Sequence, residues 1–221
     1  MSDKKQKDKD LKEKGSKDLR EKEAKEEAKE EAKDAVDAKE KETKDVTKPN
    51  FSADEFSSSE SPEEQLAALL QKYDYTISAA ESCTGGLVCA RLVNIAGISE
   101  YFKEGFVTYS NKAKRRTLGV SKATIRSDGA VSAQTAKEMA AGAAMAADTD
   151  LAVSVTGNAG PAAEEGKPVG LVYIGIYFKG KVKAYSFELS GSRNEIRDKA
   201  STRALLLCAK TIERAEEKKT K

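Results

Sequence analysis

The chain reads YTISAAESCTGGLVCARLV over residues 75–93, and this stretch decides the predicted fold. Residues 75–80 form a short apolar run of the kind that makes a buried strand. The glycine pair Gly85-Gly86 follows, and apolar residues then recur at helical spacing as far as Val93. A strand, a glycine turn and a helix in succession indicate an α/β domain, in which helices cover a central sheet.

The alternation of strands and helices continues toward the C-terminus. Apolar or alternating runs predict four further strands, at residues 105–110, 151–156, 169–178 and 181–189, the last two forming a hairpin. N-capping serines predict helices that begin after Ser61, Ser132 and Ser192, and a short basic helix begins at Asn111. We therefore predict a three-layer α/β/α domain with a mixed sheet over residues 59–221.

The segment before this domain has a different composition. Residues 1–50 hold as many acidic as basic residues, and their aliphatic side chains are few and scattered. So little apolar surface does not offset the entropy of ordering a chain. We predict that residues 1–58 are a charged tail and linker, either disordered or forming a single solvated helix through Glu to Lys pairs.

Composition also narrows the function. The net charge of +2 argues against nucleic acid as the main partner. No apolar run spans a bilayer and no signal peptide is evident, so we expect no membrane partner and a cytoplasmic location. The three cysteines lack CxxC spacing and the chain has no histidine, so we expect no metal and no other cofactor. Without histidine, a hydrolase needs another base, and lysine and tyrosine are the candidates.

The turn after the first strand carries the first candidate site. Ser82, Cys83 and Thr84 are successive potential nucleophiles, and the N–H groups from Thr84 to Gly86 are candidate donors to an oxyanion or a phosphate. In a purely structural alternative, Gly85-Gly86 permits tight strand-to-helix packing and Thr84 is an N-cap. These residues by themselves leave both alternatives open.

Two further segments follow strands, where open α/β sheets usually bind ligands. In one, Tyr109 precedes a helix that carries Lys114 in its first turn, and the helix dipole there helps to lower the lysine pKa. In the other, the small residues Thr156, Gly157, Ala159 and Gly160 allow the backbone to approach a ligand.

Taken together, these motifs resemble the C-terminal domain of the competence/damage-inducible CinA proteins, which include stand-alone nicotinamide-nucleotide amidases. The matching stretches are AESCTGG (80–86), GFVTYSNKAK (105–114), DGAVS (128–132), TGNAGP (156–161) and KPVGLVYI (167–174). This resemblance implies hydrolysis of nicotinamide mononucleotide to nicotinic acid mononucleotide and ammonia. It also implies that Ser82 is the nucleophile and that Lys114 and Tyr109 assist it.

The sequence departs from the family pattern beside the third segment. Asn158 stands where the family usually has an aliphatic residue, and Ala162-Ala163-Glu164-Glu165 replaces a glycine-rich stretch. Because both changes lie beside a predicted binding loop and not beside the expected nucleophile, we expect substrate affinity or preference to be the property that they alter.

Several expectations and alternatives accompany the amidase hypothesis. Arg193 and Arg197, at the start of the last helix, are candidate phosphate clamps, with a solvated helix terminus as the alternative. We expect a homo-oligomer with a small nucleotide as its substrate. One alternative function is a catalytically silent nucleotide-binding or competence-related interaction module. Another is cysteine catalysis at Cys83.

Overall fold

The structure is a computed structural model and describes residues 46–47, 60–163 and 165–220. Its strands are β1 (Val46–Thr47), β2 (Ile77–Glu81), β3 (Phe102–Val107), β4 (Leu151–Gly157), β5 (Leu171–Phe178) and β6 (Lys181–Glu188). Its α-helices are α1 (Pro62–Tyr73), α2 (Leu87–Val93), α3 (Asn111–Leu118), α4 (Lys122–Ser127), α5 (Ala133–Ala147) and α6 (Arg193–Lys219). The predicted disorder or helix of residues 1–45 and 48–59 lies outside the described residues.

The six strands form one mixed sheet in the order β1-β6-β5-β4-β2-β3. Strand β2 runs parallel to both β3 and β4, whereas β4, β5 and β6 are successively antiparallel. The predicted α/β fold and mixed sheet are therefore confirmed. Because β2, β3 and β4 are parallel, their carboxyl ends meet at one edge of the sheet, where open α/β sheets place their ligands.

Helices cover both faces of the sheet. The larger core packs α1, α2 and α6 against one face, with Leu66, Leu92 and Leu205 fully buried. The smaller core packs α3 and α5 against the other face through residues such as Leu118 and Met139. Strand β4 is buried on both faces, which explains why its sequence is largely apolar.

The predicted helix starts are confirmed. The Ser61 hydroxyl accepts the Glu64 N–H while the Glu64 carboxylate accepts the Ser61 N–H, a complete capping box, and Ser192 with Glu195 forms the same arrangement for α6. Within the described helices, none combines the length and hydropathy needed to cross a bilayer.

Three details differ from the sequence-based expectations. The strand predicted at 105–110 lies at 102–107, because the Ser110 hydroxyl accepts the Ala113 N–H and starts helix α3 instead. Helix α4 was not predicted, and Ser121 caps it. Strand β1 falls in the region predicted to be tail and linker. It pairs with β6, and Val46 packs against a small apolar cluster, so this short piece is part of the sheet.

Candidate active site

A cavity of about 340 Å³ lies beyond the carboxyl ends of β2, β3 and β4. It is lined by Ser82, Cys83, Tyr109, Ser110, Asn111, Lys114, Ala130, Val131, Thr156, Gly157, Asn158, Ala159, Glu165 and Arg193. The lining therefore joins the three segments singled out in the sequence to the DGAVS stretch and to the first residue of α6.

A serine and a lysine are hydrogen-bonded to each other in this cavity. Ser82 follows β2 directly, and its N–H donates to the Val155 carbonyl at 2.9 Å, so the turn is held to β4. Lys114 lies in α3 and is only 1% exposed. Its Nζ atom lies 2.9 Å from Ser82 Oγ and 3.0 Å from the Thr108 carbonyl oxygen. The geometry places an amine within proton-transfer distance of a hydroxyl.

Burial changes the protonation of Lys114. Loss of solvent lowers its pKa from 10.5 to about 8, although the negative charges that Cys83 and Glu165 carry when ionised act in the opposite direction. At pH 7 about a tenth of the molecules then hold a neutral amine, and the fraction increases with pH. A neutral Lys114 can accept the Ser82 proton across the same 2.9 Å.

The neighbouring thiol is in a different state. Cys83 is buried, and this burial raises its pKa to about 11 although Lys114 acts to lower it. The thiol is therefore protonated near neutral pH, and a protonated thiol is a poor nucleophile. Lys114 donates its hydrogen bond to Ser82. The geometry favours Ser82 over Cys83 as nucleophile.

Arg193 connects three parts of the cavity. Its guanidinium donates one hydrogen bond to the Gly160 carbonyl and a second, of 2.9 Å, to the Tyr109 hydroxyl. The Tyr109 side chain is 60% exposed, and its hydroxyl contacts Arg193 rather than Lys114. The family resemblance implies that Tyr109 assists Lys114. In the structure the two residues meet only through a long contact between Lys114 Nζ and the Tyr109 carbonyl oxygen.

Side-chain hydrogen bonds hold the TGNAGP loop in place. The Thr156 hydroxyl donates to the Ala130 carbonyl at 2.7 Å. Asn158 is buried, and its amide donates to the Ala162 and Lys167 carbonyls while its oxygen accepts the Gly160 N–H. Asn158, the departure from the family pattern, is therefore a buried cross-link within this loop as well as part of the cavity wall.

The predicted donors Thr84, Gly85 and Gly86 do not line the cavity. The Gly85 N–H donates to the Ser82 carbonyl at 3.1 Å, and the Gly86 N–H donates to the Glu81 carboxylate at 2.9 Å. Both groups are therefore already paired within the chain. This geometry does not support the expectation that they hold an oxyanion or a phosphate.

Arg197 and Gly160 also lie outside the lining. Arg197 donates to the carbonyl oxygens of Cys83 and Thr84 at 3.1 and 2.8 Å. Arg197 therefore supports the turn that carries Ser82. Its guanidinium is directed at these carbonyls and does not line the cavity as a phosphate clamp would. Gly160 contributes its carbonyl to Arg193 from behind the cavity wall.

Glu81 supports the candidate site from behind the Ser82 turn, a role that the sequence analysis did not assign to it. Its carboxylate is completely buried and accepts the N–H groups of Gly86, Val88 and Cys89 at 2.9 to 3.1 Å. It thereby fixes the start of α2 and the turn that carries Ser82. An acidic residue at the end of an apolar strand, just before a glycine turn and a helix, was the available signal, because helix N-termini favour carboxylates.

Glu165 was also missed as a site residue. Its carboxylate reaches into the cavity and accepts the N–H groups of Ala130 and Val131.

Among residues 46–47, 60–163 and 165–220, no three Cys, Asp or Glu side chains converge as a possible metal site.

The fold and the cavity define an α/β domain in which a buried lysine is paired with a serine at the ends of parallel strands. The chain belongs to the family of the CinA C-terminal domain, which matches residues 59–212. It is 52% identical over 147 residues to a CinA-like protein of Kosmotoga olearia, covering 66% of this chain and 36% of that protein. The chain thus spans little more than a third of that relative.

Solved structures agree with this assignment. A competence/damage inducible protein from Agrobacterium tumefaciens is 41% identical, with a TM-score of 0.62, and the match covers 66% of this chain and 92% of that one. A CinA superfamily protein from Klebsiella pneumoniae is 29% identical, with a TM-score of 0.68, and the match covers 70% and 99% of the two chains. The names of these three relatives state no substrate.

Proposed function

We propose that this protein is a nicotinamide-nucleotide amidase, which hydrolyses the carboxamide of nicotinamide mononucleotide to nicotinic acid mononucleotide and ammonia, as part of pyridine-nucleotide recycling. The observation that carries the proposal is the 2.9 Å contact between Lys114 Nζ and Ser82 Oγ inside a cavity large enough for part of a nucleotide. A nucleophile paired with a desolvated base is the minimum that acyl transfer requires.

The first half of the reaction forms an acyl-enzyme. Neutral Lys114 takes the hydroxyl proton as Ser82 Oγ attacks the carboxamide carbon, and a tetrahedral intermediate forms. Lys114 then gives this proton to the amide nitrogen, the C–N bond breaks and ammonia leaves. The hydrogen bond from Lys114 to the Thr108 carbonyl keeps the amine directed at Ser82 throughout.

The second half repeats these steps with water. Lys114 takes a proton from the attacking water and returns it to Ser82 Oγ as the ester bond breaks. The carboxylic acid that is released then gives its remaining proton to solvent and becomes the carboxylate product. No cofactor takes part in the proposed reaction. Arg193 and Tyr109 lie at the cavity wall, where they are suited to contact the ribose phosphate of the substrate.

The proposal is tested by measuring ammonia release from nicotinamide mononucleotide with three purified variants. Ser82→Ala should be inactive, whereas Cys83→Ala, which removes the buried thiol beside it, should keep most of the activity. Lys114→Arg should lose 10²- to 10⁴-fold, because arginine keeps the charge but does not release its proton. An active Ser82→Ala variant, or tight binding of the nucleotide by wild type without ammonia release, would refute the amidase proposal.

A homo-oligomeric state and a cytoplasmic location complete the proposal. Light scattering of the purified protein in solution tests the first, and fractionation of cells that express the chain tests the second.

A further inference from the structure

Two consecutive backbone N–H groups converge on one point of the cavity. The N–H groups of Ala130 and Val131 lie 2.8 and 3.3 Å from the same oxygen, Oε2 of Glu165. All three residues line the cavity that contains Ser82 and Lys114. Paired main-chain N–H groups that face one point form a concave donor site for an anionic oxygen.

The turn that carries these N–H groups is held from behind, by contacts that do not involve Glu165. The Gly129 carbonyl accepts the hydroxyls of Ser132 and Thr135 at 3.1 and 2.7 Å, and the Ala130 carbonyl accepts the Thr156 hydroxyl at 2.7 Å. With its carbonyls directed toward these hydroxyls, the turn presents its N–H groups to the cavity whether or not Glu165 is there.

Gly129 makes room for the anion. It has a φ of +83°, and a Cβ atom at this position would lie only 2.5 Å from Glu165 Oε2. A side chain here would therefore strain the backbone and would also block the approach of any oxygen to the two N–H groups.

Glu165 has an unfavourable backbone conformation, whereas its charge matches the basic residues of the cavity. Its own φ is 52°, in the left-handed region that disfavours residues other than glycine. It also lies on the segment that replaces the glycine-rich stretch of the family. Among the described residues that line the cavity it is the one acidic residue, beside the basic residues Lys114 and Arg193. Its carboxylate is thus an anion supplied by the chain itself to a site that accepts anions.

We propose that the N–H groups of Ala130 and Val131 bind the phosphate of the substrate, and that Glu165 is a specificity-determining residue that occupies this subsite and competes with that phosphate. The identity of the phosphorylated ligand rests on the proposed function. A phosphate offers three oxygens and more negative charge than a carboxylate, so it makes the stronger hydrogen bonds with the same donors.

The competition has a measurable consequence. A ligand that must displace Glu165 binds only to those molecules in which the subsite is open. Its apparent affinity is therefore the intrinsic affinity multiplied by the fraction of open molecules. Removing the carboxylate should therefore tighten the binding of phosphorylated ligands by roughly 3- to 10-fold. It should leave ligands without phosphate unchanged, because they do not use these N–H groups.

The first experiment uses inorganic phosphate and does not depend on the substrate. The amide resonances of Ala130 and Val131 are followed by NMR during phosphate titration of wild type, Glu165→Ala and Glu165→Gln. The glutamine variant keeps the size of the side chain and an oxygen acceptor. Glu188→Gln, which removes an exposed carboxylate outside the cavity lining, is the control for net charge.

We expect both amide signals to shift at several-fold lower phosphate in the two Glu165 variants than in wild type or Glu188→Gln. Signals that do not respond in any variant, or that respond equally in all four proteins, would overturn the inference whatever the enzyme hydrolyses.

The second experiment connects the subsite to the proposed substrate. Binding of nicotinamide mononucleotide and of nicotinamide riboside is measured by calorimetry in the Ser82→Ala background, with and without Glu165→Gln. Tighter binding of the mononucleotide alone is the expected result. Equal weakening of both ligands would show that Glu165 contacts the cationic ring, and would overturn the inference. If phosphate shifts the amide signals but the mononucleotide does not bind, the subsite stands and the proposed substrate is wrong.

Discussion

Replacing Lys114 by methionine removes a buried ammonium and keeps an unbranched side chain of similar length, so it tests the ionisation on which the proposed mechanism depends. In the folded protein, burial lowers the Lys114 pKa to about 8, whereas the unfolded chain has the ordinary value of 10.5. Between these two values the unfolded state binds more protons than the folded state. The free energy of unfolding of the wild type must therefore increase with pH across this window.

The size of the effect follows from the shift. Below pH 8 both states carry the proton, and the folded state bears the full cost of the buried charge. Above 10.5 neither state carries it, and that cost is gone. At about 1.4 kcal/mol for each pKa unit, the shift from 10.5 to about 8 corresponds to about 3 kcal/mol. Lys114→Met has no such contribution at any pH.

The assay is urea unfolding of wild type and Lys114→Met at pH 7 and at a pH above 10.5. The other titrating groups are common to both proteins and cancel in the comparison. The partners left unpaired in the variant, the Thr108 carbonyl and the Ser82 hydroxyl, add a nearly constant difference. We expect the stability of wild type relative to the variant to rise by about 3 kcal/mol with pH. A change below about 0.5 kcal/mol, near the limit of additivity, would refute a depressed Lys114 pKa.

Three further predictions concern residues around this pair. Glu81→Gln should lower the free energy of unfolding by about 3 kcal/mol, because a buried carboxylate that accepts three N–H groups is lost. A loss below about 1 kcal/mol in urea unfolding would contradict the role of Glu81 in holding the start of α2. Gly142→Ala should lower the free energy of unfolding by about 1 to 3 kcal/mol and reduce turnover, because a Cβ in α5 would overlap the Leu118 carbonyl and displace helix α3. Unchanged thermal stability would count against this close packing of α5 on α3. Arg193→Lys should raise KM about 10-fold with little change in kcat, because lysine does not donate to the Tyr109 hydroxyl and the Gly160 carbonyl at the same time. An unaltered KM in steady-state kinetics would show that these two hydrogen bonds are dispensable.

Much of the fold was predictable because its signals are local. The capping boxes at Ser61 and Ser192 occupy four consecutive residues each, and the apolar run of β4 specifies a strand buried on both faces. The same holds for part of the site. The absence of histidine made lysine and tyrosine the candidate bases for a hydrolase. The family motifs pointed to Ser82 and Lys114, which the structure brings within 2.9 Å of each other.

The tertiary structure decided which partners the charged side chains meet. Arg193 and Arg197 are equivalent candidates in the sequence, yet one reaches Tyr109 across the cavity and the other holds the carbonyls of the Ser82 turn. Glu165 meets Ala130 from 35 residues away. Helix periods and caps are set within a few neighbouring residues. Burial, and with it the pKa of Lys114, depends on how distant elements pack around a side chain, and no local pattern encodes that.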